Sequence, residues 1–567
     1  MKKWLFVFLI LFFSGIVVFA AGNSQGQGSS TSRSSSGLYN PPGTYPIVKK
    51  PVTLSVFSYA NTVVPWEDNL MTKELETKTG IHLAWQYAAQ DIMRERLNLM
   101  FASGDETDLV FMGTIQANRL DKATELLLGS QGLIMDLTKF YDTVSVGYKE
   151  GFKYFPNIRE YITTPDGKIY CLPNLDANIG VNFNLQIYIN TVWLKNLGLS
   201  MPTTTDEFLN TMRAFKTQDP NKNGIADEIP LSGVKMGAGT QIDGFLMSPF
   251  QLCPEETSTG KMYIDNGVIK YAPVQDGYRD GLRYLNTLFS EGLLNPDSFT
   301  WLMADQVARN EAGPQEVIGS FMAQRIGYGG NTTPGDNSGR WKMYTFIPPL
   351  KGPSGKTPVV PWHPYNSYQT GQTFITGKCK EPEAAFRLID YIATTEGTMR
   401  ARFGIKGINY EDALPGETGM NGSPATIHML GAIPEGVAWN QLAGLVSTPA
   451  IVNMWAFPSD IYAPDVVPDT ASQMLNFRAS TLSMPMAQPI NTVFPNLYLS
   501  TDVAAEISML KVAITDYQSE SLARFITGAL SIDRDWDNYK QQLKNIGLDR
   551  YLSLLQAAYN ASPFNKK

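Results

Sequence analysis

The chain has 567 residues, of which 43% are apolar and 17% are charged. So long a chain does not fit one hydrophobic core and indicates two or three globular domains. The 46 basic and 53 acidic residues give a net charge of −7 with no run of like charge, which argues against nucleic acid or anionic lipid as a partner.

The N-terminus predicts export. The start MKK, the apolar run WLFVFLILFFSGIVVFA and the small residues of VFAAG predict a signal peptide over residues 1–21, cut near Ala20 or Ala21. An uncleaved anchor is the alternative, because a run of about 17 apolar residues is marginally long enough to span a bilayer. No cysteine stands at the cut, so there is no lipobox; a periplasmic or cell-surface location is expected. Residues 22–47, rich in Gly, Ser and Gln, are predicted to be a disordered leader.

The first folded region alternates strand-like and helical stretches, with Gly80 and Gly104 as helix stops. This alternation predicts a parallel, doubly wound sheet, which binds ligands at the carboxyl ends of its strands. Tyr59, Asn61 and Met112 stand at those ends. The stretches are VTLSVFSY (52–59), EDNLMTKELETKTG (67–80), IHLAWQY (81–87), DIMRERLNLMFASG (91–104) and LVFM (109–112).

A second region of the same type follows. The stretch VNFNLQIYIN (181–190) is predicted to be a long strand, and EVIGSFMA (316–323) a buried strand. Strand and helix resume from TGQTFIT, and the chain ends in long helices. The pattern predicts two α/β lobes, with hinges where the chain crosses between them. The predicted lobes are 48–178 plus 349–445 and 180–346 plus 450–567, and the predicted hinges lie near 176–182, 345–350 and 440–456.

The stretch DPNKNGIADEIP (219–230) starts like a calcium loop. Asp219, Asn221 and Asn223 alternate ahead of a glycine, yet Pro230 occupies position twelve, where an EF-hand carries a bidentate glutamate. Two acidic residues, Asp227 and Glu228, stand before that position instead. A solvated turn rich in Asp and Asn is the alternative interpretation.

Several segments together resemble the family 1 extracellular solute-binding proteins, the sugar-capturing subunits of ABC importers. The similarity is greatest to the subgroup of alginate-oligosaccharide-binding proteins and related oligosaccharide-binding lipoproteins, and it runs in order from about residue 50 to 560. It implies a two-lobed type II periplasmic-binding-protein fold, with doubly wound sheets in each lobe, an interlobe cleft and extra C-terminal helices. The segments include ASGDETDLVFM, PDGKIYCLPN, NTVWLKNLGLSMPTTTDEF, DPNKNGIADEIP, LNTLFSEGLLNPDSF, IPPLKGPSGK, KEPEAAFRLIDYI and FITGALSIDRDWDNYKQQLKNIGLDRYL.

The resemblance also implies a structural Ca²⁺ ion in the short loop. Alternate side chains of a tight loop converge on one point, and a hard cation takes about six to eight oxygen ligands. One of these ligands would be a backbone carbonyl, that of Ile225. The implied ligands are Asp219, Asn221, Asn223, Ile225, Asp227 and Glu228.

Sugar capture needs flat apolar faces beside polar groups, because a pyranose shows C–H bonds on its faces and hydroxyls around its rim. Tryptophans in loop-like contexts are candidate stacking platforms, although packing in a core is a strong alternative for each. Trp301 is one of these candidates, and Trp66, Trp362 and Trp439 are favoured among them. The predicted ligand-binding residues are Tyr59, Asn61, Trp66, Asp176, Asn178, Trp362, Trp439 and Trp455.

Catalysis has little support in the sequence. The three histidines are isolated, the three cysteines lack the spacing of a zinc site, and no pair of carboxylates is nominated for glycoside cleavage. An exported glycoside hydrolase or lyase and a surface adhesin are the alternatives. The sequence thus predicts a non-catalytic, monomeric oligosaccharide receptor that delivers its ligand to a membrane permease. The charge of the sugar stays open, since a uronate would need cleft cations, for which Lys235, Arg325 and Arg340 are available.

Overall fold

The computed structural model describes most of the chain from residue 37 onward. The predicted signal peptide, residues 1–21, lies outside the described residues. Within the described part, no helix combines the length and the apolar character needed to span a bilayer. The described residues are 37–113, 118–153, 155, 157–175, 182–235, 240–331, 338–408, 410–417, 424, 427–430, 461–462, 475 and 478–565.

Helices and short strands alternate along the described chain. The α-helices are α1 Leu70–Thr79, α2 Met93–Ser103, α3 Lys122–Ser130, α4 Thr138–Thr143, α5 Gly147–Gly151, α6 Ile158–Ile162, α7 Thr191–Leu197, α8 Thr205–Thr217, α9 Glu256–Thr259, α10 Asp276–Ser290, α11 Met303–Glu311, α12 Pro382–Ile392, α13 Thr395–Phe403, α14 Thr501–Ile526, α15 Trp536–Ile546 and α16 Leu548–Ala561. The strands are β1 Val52–Tyr59, β2 Ile81–Ala88, β3 Leu109–Phe111, β4 Asn174–Leu175, β5 Ile187–Asn190, β6 Ile229–Ser232, β7 Met262–Asp265, β8 Val268–Tyr271, β9 Ile318–Met322, β10 Tyr344–Phe346, β11 Tyr368–Gln369, β12 Thr373–Ile375, β13 Tyr410–Asp412, β14 Ile427–Met429 and β15 Ile461–Tyr462.

The first sheet has the strand order β12-β3-β1-β2. Strand β1 pairs in parallel with β2 and β3, and β12 adds an antiparallel edge, which confirms the predicted doubly wound arrangement. Helices α1 and α2 end at Gly80 and Gly104, whose φ angles of 76° and 74° favour glycine. Helix α1 starts at Leu70 rather than Glu67, because the Asn69 side chain caps it by accepting from two backbone amides of its first turn.

The second sheet has the order β10-β5-β9-β6. Strands β6 and β9 are parallel, whereas β5 is antiparallel to β9. The carboxyl ends of β6 and β9 and the amino end of β5 therefore lie along one edge of the sheet, which we call the carboxyl edge. The opposite edge, where β6 and β9 begin, is the amino edge.

The predicted strand over residues 181–190 is confirmed only at its end, in β5. Its first half does not form a strand, because its polar side chains hydrogen-bond to other segments of the chain. The Asn182 amide donates to Ser367 Oγ at 3.1 Å, and the Asn184 amide donates to Glu255 Oε2 at 2.9 Å. The alternation of polar and apolar residues here therefore reflects contacts with neighbouring segments rather than one face of a strand.

Two large hydrophobic cores hold these sheets. Apart from Val493, the first core takes its residues from Ile47 to Leu175 and from Tyr365 to Ala401, and the second takes them from Leu185 to Leu350 and from Phe494 to Tyr559. The chain therefore crosses between the cores after residue 175 and again after residue 350, close to two of the predicted hinges. The third predicted hinge, 440–456, lies outside the described residues.

Residues 37–47 are ordered, so the predicted disordered leader is wrong for this part. The Tyr39 hydroxyl donates to Glu381 at 2.6 Å, and the Arg387 guanidinium donates to the carbonyl of Asn40 at 2.8 Å. The Tyr45 ring meets the Tyr391 ring edge-on, with centroids 5.0 Å apart. These tyrosines and Ile47, which is 1% exposed, give this segment apolar surface that the Ser-rich residues before it lack.

A segment over residues 486–500, here called the strap, contacts both cores before it enters α14. Val493 packs in the first core, and the adjacent Phe494 packs in the second. The Tyr498 hydroxyl donates to Glu125 Oε1 at 2.8 Å, and the Tyr498 ring lies 4.4 Å from the Lys122 ammonium.

The two charges beneath the strap are buried together in α3. Burial raises the pKa of Glu125 and lowers the pKa of Lys122, while their mutual attraction opposes both shifts. The second oxygen of the Glu125 carboxylate is buried and has no hydrogen-bond partner among the described residues. The hydroxyl of Tyr498 is therefore an important hydrogen-bond donor to this buried carboxylate.

We expect the substitution Tyr498→Phe to destabilise the protein by about 1–3 kcal/mol, because it removes a donor from a buried carboxylate. Urea unfolding monitored by circular dichroism would measure this. Tyr517→Phe is the matched control, since the Tyr517 hydroxyl has no hydrogen bond among the described residues and its ring stacks on Tyr539. Equal stabilities of the two variants would contradict a role of Tyr498 in fastening the strap.

Candidate functional site

The carboxyl end of the first sheet is closed by aromatic packing. Trp66 is fully buried, and its indole Nε1 donates to the carbonyl of Tyr59 at 2.7 Å. The Tyr59 ring lies against Gly113, where a Cβ atom would come within 2.5 Å of it. Trp66 therefore packs in the core with no face for a sugar, and this contradicts its predicted role as a stacking platform.

The other predicted residues of this end are also mostly enclosed. Tyr59 is 6% exposed, and burial raises its pKa to about 12. The half-buried Asn61 accepts a hydrogen bond from the backbone amide of Val63 at 3.0 Å, as in an Asx turn. Four predicted ligand residues, Asp176, Asn178, Trp439 and Trp455, lie outside the described residues.

A small cleft lies where the crossing segments meet, and we call it the junction cleft. It combines residues that precede β5, residues that precede α9 and residues between the second and the first core. Trp362, predicted from its loop context, is half-buried in this cleft with its ring stacked on Phe183 at a centroid distance of 5.9 Å. The lining residues are Asn182, Asn184, Leu185, Pro254, Glu255, Pro361, Trp362 and His363.

Polar side chains of the cleft form a hydrogen-bonded chain. Gln324, just beyond β9 at the carboxyl edge, donates through Nε2 to Asn184 Oδ1 at 2.6 Å. Asn184 in turn donates to the carboxylate of Glu255, which is 6% exposed. Each amide is thereby fixed in orientation, so the cleft presents preset donors and acceptors beside an aromatic ring.

Backbone hydrogen bonds hold the crossing segments together around this cleft. The amide of His363 donates to the carbonyl of Asn182 at 2.9 Å. The Trp362 indole donates to the carbonyl of Gln488 in the strap at 2.8 Å, and the amide of Gln488 donates to the carbonyl of Val360 at 3.0 Å. Three separate stretches of chain therefore meet beside one tryptophan.

The sequence interpretation missed the polar residues Asn182, Asn184 and Glu255 of this cleft and the adjoining Gln324. Asn182 and Asn184 were assigned to a strand, and their amides within an apolar pattern were the available signal. Glu255 and Gln324 belong to no motif, and only the folded chain brings them to Trp362.

The basic candidates divide into exposed and buried side chains. Lys235 and Arg325 are exposed beyond the carboxyl ends of β6 and β9. Arg340 is 7% exposed and donates to the carbonyls of Asn310 and Gly313, so it is a structural residue and its predicted availability to a uronate is contradicted. Trp301 is half-buried, and its carbonyl accepts from the amide of Lys235.

A larger cavity, of about 670 Å³, lies on the first core alone. It is bounded by α1 and by the chain from α12 to β13, with Lys78 and Glu396 among its charged residues. Neither lining stretch belongs to a crossing segment or to the carboxyl end of a sheet. We therefore take the junction cleft, which has a volume of about 20 Å³ in this structure, as the candidate functional site.

The loop over residues 219–228 is held in a tight turn by hydrogen bonds to its own side chains. The Asp219 carboxylate accepts from the amides of Asn223 and Gly224, each at 3.1 Å, and φ at Gly224 is 72°. Asp227 Oδ1 accepts from the Asn223 amide at 3.0 Å. Oxygens of alternate residues are thereby turned toward one another.

Glu228 indicates that this loop suits a cation. Its Oε1 atom is buried without a hydrogen-bond partner among the described residues. Burial and the carboxylates of Asp227 and Asp219 raise the pKa of Glu228. Among the described residues, no three acidic, histidine or cysteine side chains form a metal site by themselves, so a cation here would also need amide and carbonyl oxygens.

The loop lies at the amino edge of the second sheet. The Asn221 amide donates to the carbonyl of Glu316, two residues before β9, and the Asn196 amide donates to the carbonyl of Pro220. The length of β9 separates this edge from the carboxyl edge, which at about 3.3 Å per residue is roughly 13 Å. The loop is therefore remote from the junction cleft.

Comparison with known proteins identifies the family. Residues 62–399 match the family model described as bacterial extracellular solute-binding protein. The chain belongs to this family. A curated relative, the fructooligosaccharide ABC transporter substrate-binding protein FusA of Streptococcus pneumoniae serotype 4, is 25% identical over 568 residues, which covers 98% of both chains.

Solved structures show the same fold. An EF-hand mutant of S. pneumoniae FusA in complex with fructo-nystose has a TM-score of 0.68 at 22% identity, with 91% of this chain and all of the other covered. A solute-binding protein from Bifidobacterium longum infantis, described as HMO binding and associated with an ABC transporter, has a TM-score of 0.70 at 21% identity, with 92% of this chain and 100% of the other covered. The predicted two-lobed α/β fold of type II periplasmic binding proteins is thus confirmed.

Proposed function

We propose that this chain is the substrate-binding subunit of an ABC importer and that it captures an oligosaccharide in the junction cleft between two closing lobes. The observation that carries the site is Trp362, a half-buried ring beside the hydrogen-bonded chain of Gln324, Asn184 and Glu255. A ring face beside fixed amides and a carboxylate matches the apolar faces and hydroxyl rim of a sugar. FusA, described as a fructooligosaccharide-binding ABC transporter protein, supports the ligand class and implies a membrane permease as partner.

We also propose the lobe boundaries expected from the sequence, 48–178 plus 349–445 and 180–346 plus 450–567. The two separate hydrophobic cores support this division. Closure would bend the crossing segments around the cleft, as in hinged binding proteins. The strap adds a further crossing, near residues 493 and 494, to the hinges that the sequence predicts.

The receptor is proposed to act outside the cytoplasm, as an exported monomer without catalytic activity. Membership of an extracellular family supports export, and residues 1–21 are proposed as the signal peptide. The relatives described as binding proteins support capture rather than cleavage. A net charge of −7 supports a role that involves no nucleic acid.

Ca²⁺ is proposed as a structural ligand of the short loop. The buried, unpaired Glu228 oxygen and the raised pKa of this carboxyl support it, as does the EF-hand named for a related structure. The proposed ligands are Asp219, Asn221, Asn223, Ile225, Asp227 and Glu228. An ion there would neutralise the clustered carboxylates and pin the loop between α8 and β6.

The substitution Trp362→Ala is expected to weaken oligosaccharide binding by about 1–3 kcal/mol, the scale of a lost stacking face. Titration calorimetry of the mature protein with a panel of oligosaccharides would first identify a ligand and then measure this loss. Chromatography after incubation should return the sugar intact, whereas cleavage would contradict the non-catalytic proposal.

Two other tryptophans provide controls for this experiment. Trp301→Ala, at a half-buried tryptophan outside the junction cleft, should change affinity less than threefold. Trp66→Ala should lower the free energy of unfolding by about 3–5 kcal/mol, because it empties a fully buried site. Full affinity in folded Trp362→Ala protein would move the site away from the cleft.

Ligand binding is expected to compact the protein, because closing lobes bring mass toward the centre. Small-angle scattering at saturating ligand should give a smaller radius of gyration than the free protein. The Trp362→Ala variant at the same sugar concentration is the control, since weaker binding leaves more molecules open. An unchanged radius at saturation would contradict closure.

Calcium is expected to raise the melting temperature, because an ion that binds only the folded state stabilises it by mass action. EDTA and Asp219→Ala should each abolish the increase, and Asp516→Ala, at an exposed position on α14, should keep it. Sugar affinity below the melting temperature should change less than threefold on chelation, since the loop lies at the amino edge. Loss of sugar binding in folded, metal-free protein would contradict this placement.

The calcium effect should also depend on pH. A raised pKa of Glu228 means that the metal-free folded state binds more protons than the unfolded state between the two pKa values, so its stability falls as pH rises through that window. Calcium requires the ionised carboxylates and gains in affinity over the same window. The difference in melting temperature with and without calcium should therefore shrink as the pH falls toward 4.5, the ordinary pKa of a glutamate, and a difference that stayed constant down to that pH would contradict Glu228 as a ligand.

A further inference from the structure

Tyr498 joins the two cores through its side chain. Its neighbours on either side, Leu497 and Leu499, pack against the second core, and the strap then continues into α14, which packs there too. The Tyr498 hydroxyl nevertheless donates to Glu125 of α3, a helix whose Leu128 packs against the first core. The hydrogen bond therefore spans the two cores, and a movement of one core relative to the other would pull its donor away from its acceptor.

Both charged groups at this contact are buried. Glu125 is 1% exposed and Lys122 is 4% exposed. The Lys122 ammonium lies 4.4 Å from the Tyr498 ring, and it also donates to the carbonyl of Tyr161, which belongs to the first core. A hydrogen bond to a charged acceptor is stronger than one between neutral groups, and a buried carboxylate that loses a donor keeps the cost of its desolvation. Separation of the two cores at this point is therefore unfavourable.

The arrangement of the crossing segments in this structure leaves too little room for an oligosaccharide. The junction cleft has a volume of about 20 Å³, whereas ligand pockets have volumes of about 300–1,000 Å³. Trp362 is held in place by the Phe183 ring and by the carbonyl of Gln488 in the strap. The amide of His363 is bonded to the carbonyl of Asn182. Capture of a sugar in this cleft therefore requires these stretches, the strap among them, to separate.

We infer that the hydrogen bond from Tyr498 to Glu125 is a latch between the lobes that favours the sugar-free arrangement and opposes capture, an inference that rests on the proposed function. A ligand that binds only one arrangement has an apparent affinity reduced by the fraction of molecules in that arrangement. The latch lowers this fraction, because a sugar binds only when the latch is broken. Tyr498 is thus a positioning residue, which sets the sugar affinity without touching the sugar.

The substitution Tyr498→Phe tests the latch, because it removes the donor and keeps the ring. Titration calorimetry with an oligosaccharide that binds the unaltered receptor should show an affinity that rises about threefold or more, since more molecules reach the binding arrangement. The same substitution lowers the stability of the fold. The opposite signs of the two changes distinguish a latch from a purely structural role, because destabilisation alone does not tighten binding. An unchanged or weaker affinity in folded Tyr498→Phe protein would overturn the inference.

A second variant acts on the acceptor of the same hydrogen bond. Glu125→Gln keeps the size of the side chain and removes its charge, so the bond weakens without being lost and the affinity should rise by less than in Tyr498→Phe. The double variant should bind no more tightly than Tyr498→Phe, because both substitutions act on one contact. Gains that add in full would assign the effect to separate contacts and would contradict the latch.

Two controls separate the latch from general effects of substitution. Tyr517→Phe removes a hydroxyl on α14 that contacts no carboxylate among the described residues, and Ile526→Val trims a fully buried side chain at the far end of α14. Ile526→Val should lower stability, and both variants should leave the sugar affinity unchanged. Binding that Trp362→Ala weakens but Tyr498→Phe does not strengthen would overturn the latch and leave the receptor in place. A protein that binds no oligosaccharide would contradict the proposed function and this inference together.

Discussion

The architecture around the cleft depends on the need of partly buried polar groups for hydrogen-bond partners. Asn182 and Asn184 stand where the chain leaves one core for the other, and among the described residues their amides donate to segments distant in sequence. Because of these hydrogen bonds, the residues before β5 contact Ser367 and Glu255 and do not form a strand. The same contacts that solve a folding problem leave oriented polar groups around Trp362.

Local patterns determined the elements that the sequence predicts well. Strand β1 has the predicted bounds, and both helices of the first sheet end at the predicted glycines, because strand alternation and left-handed caps are properties of short segments. The prediction of disorder for residues 37–47 was wrong for the opposite reason. Their order comes from α12, through Glu381 and Arg387, which lie more than three hundred residues away.

The site was predicted less completely, because its residues meet only after folding. A loop context favoured Trp362 and Trp66 equally, yet the Trp66 indole turns inward to the carbonyl of Tyr59 while Trp362 stays beside a cleft. Glu255 carries no motif and could not be nominated from sequence. The short loop was easier to recognise, since all its candidate ligands lie within ten consecutive residues.

The position of that loop at the amino edge of the second sheet has an evolutionary consequence. Substitutions in the proposed sugar site would fall on the crossing segments and the carboxyl edge, about a strand's length away. Changes in the loop would instead alter how firmly α8 is joined to β6. Selection on ligand specificity and selection on fold stability would therefore act on separate parts of the chain. Related proteins could then change specificity without a loss of stability.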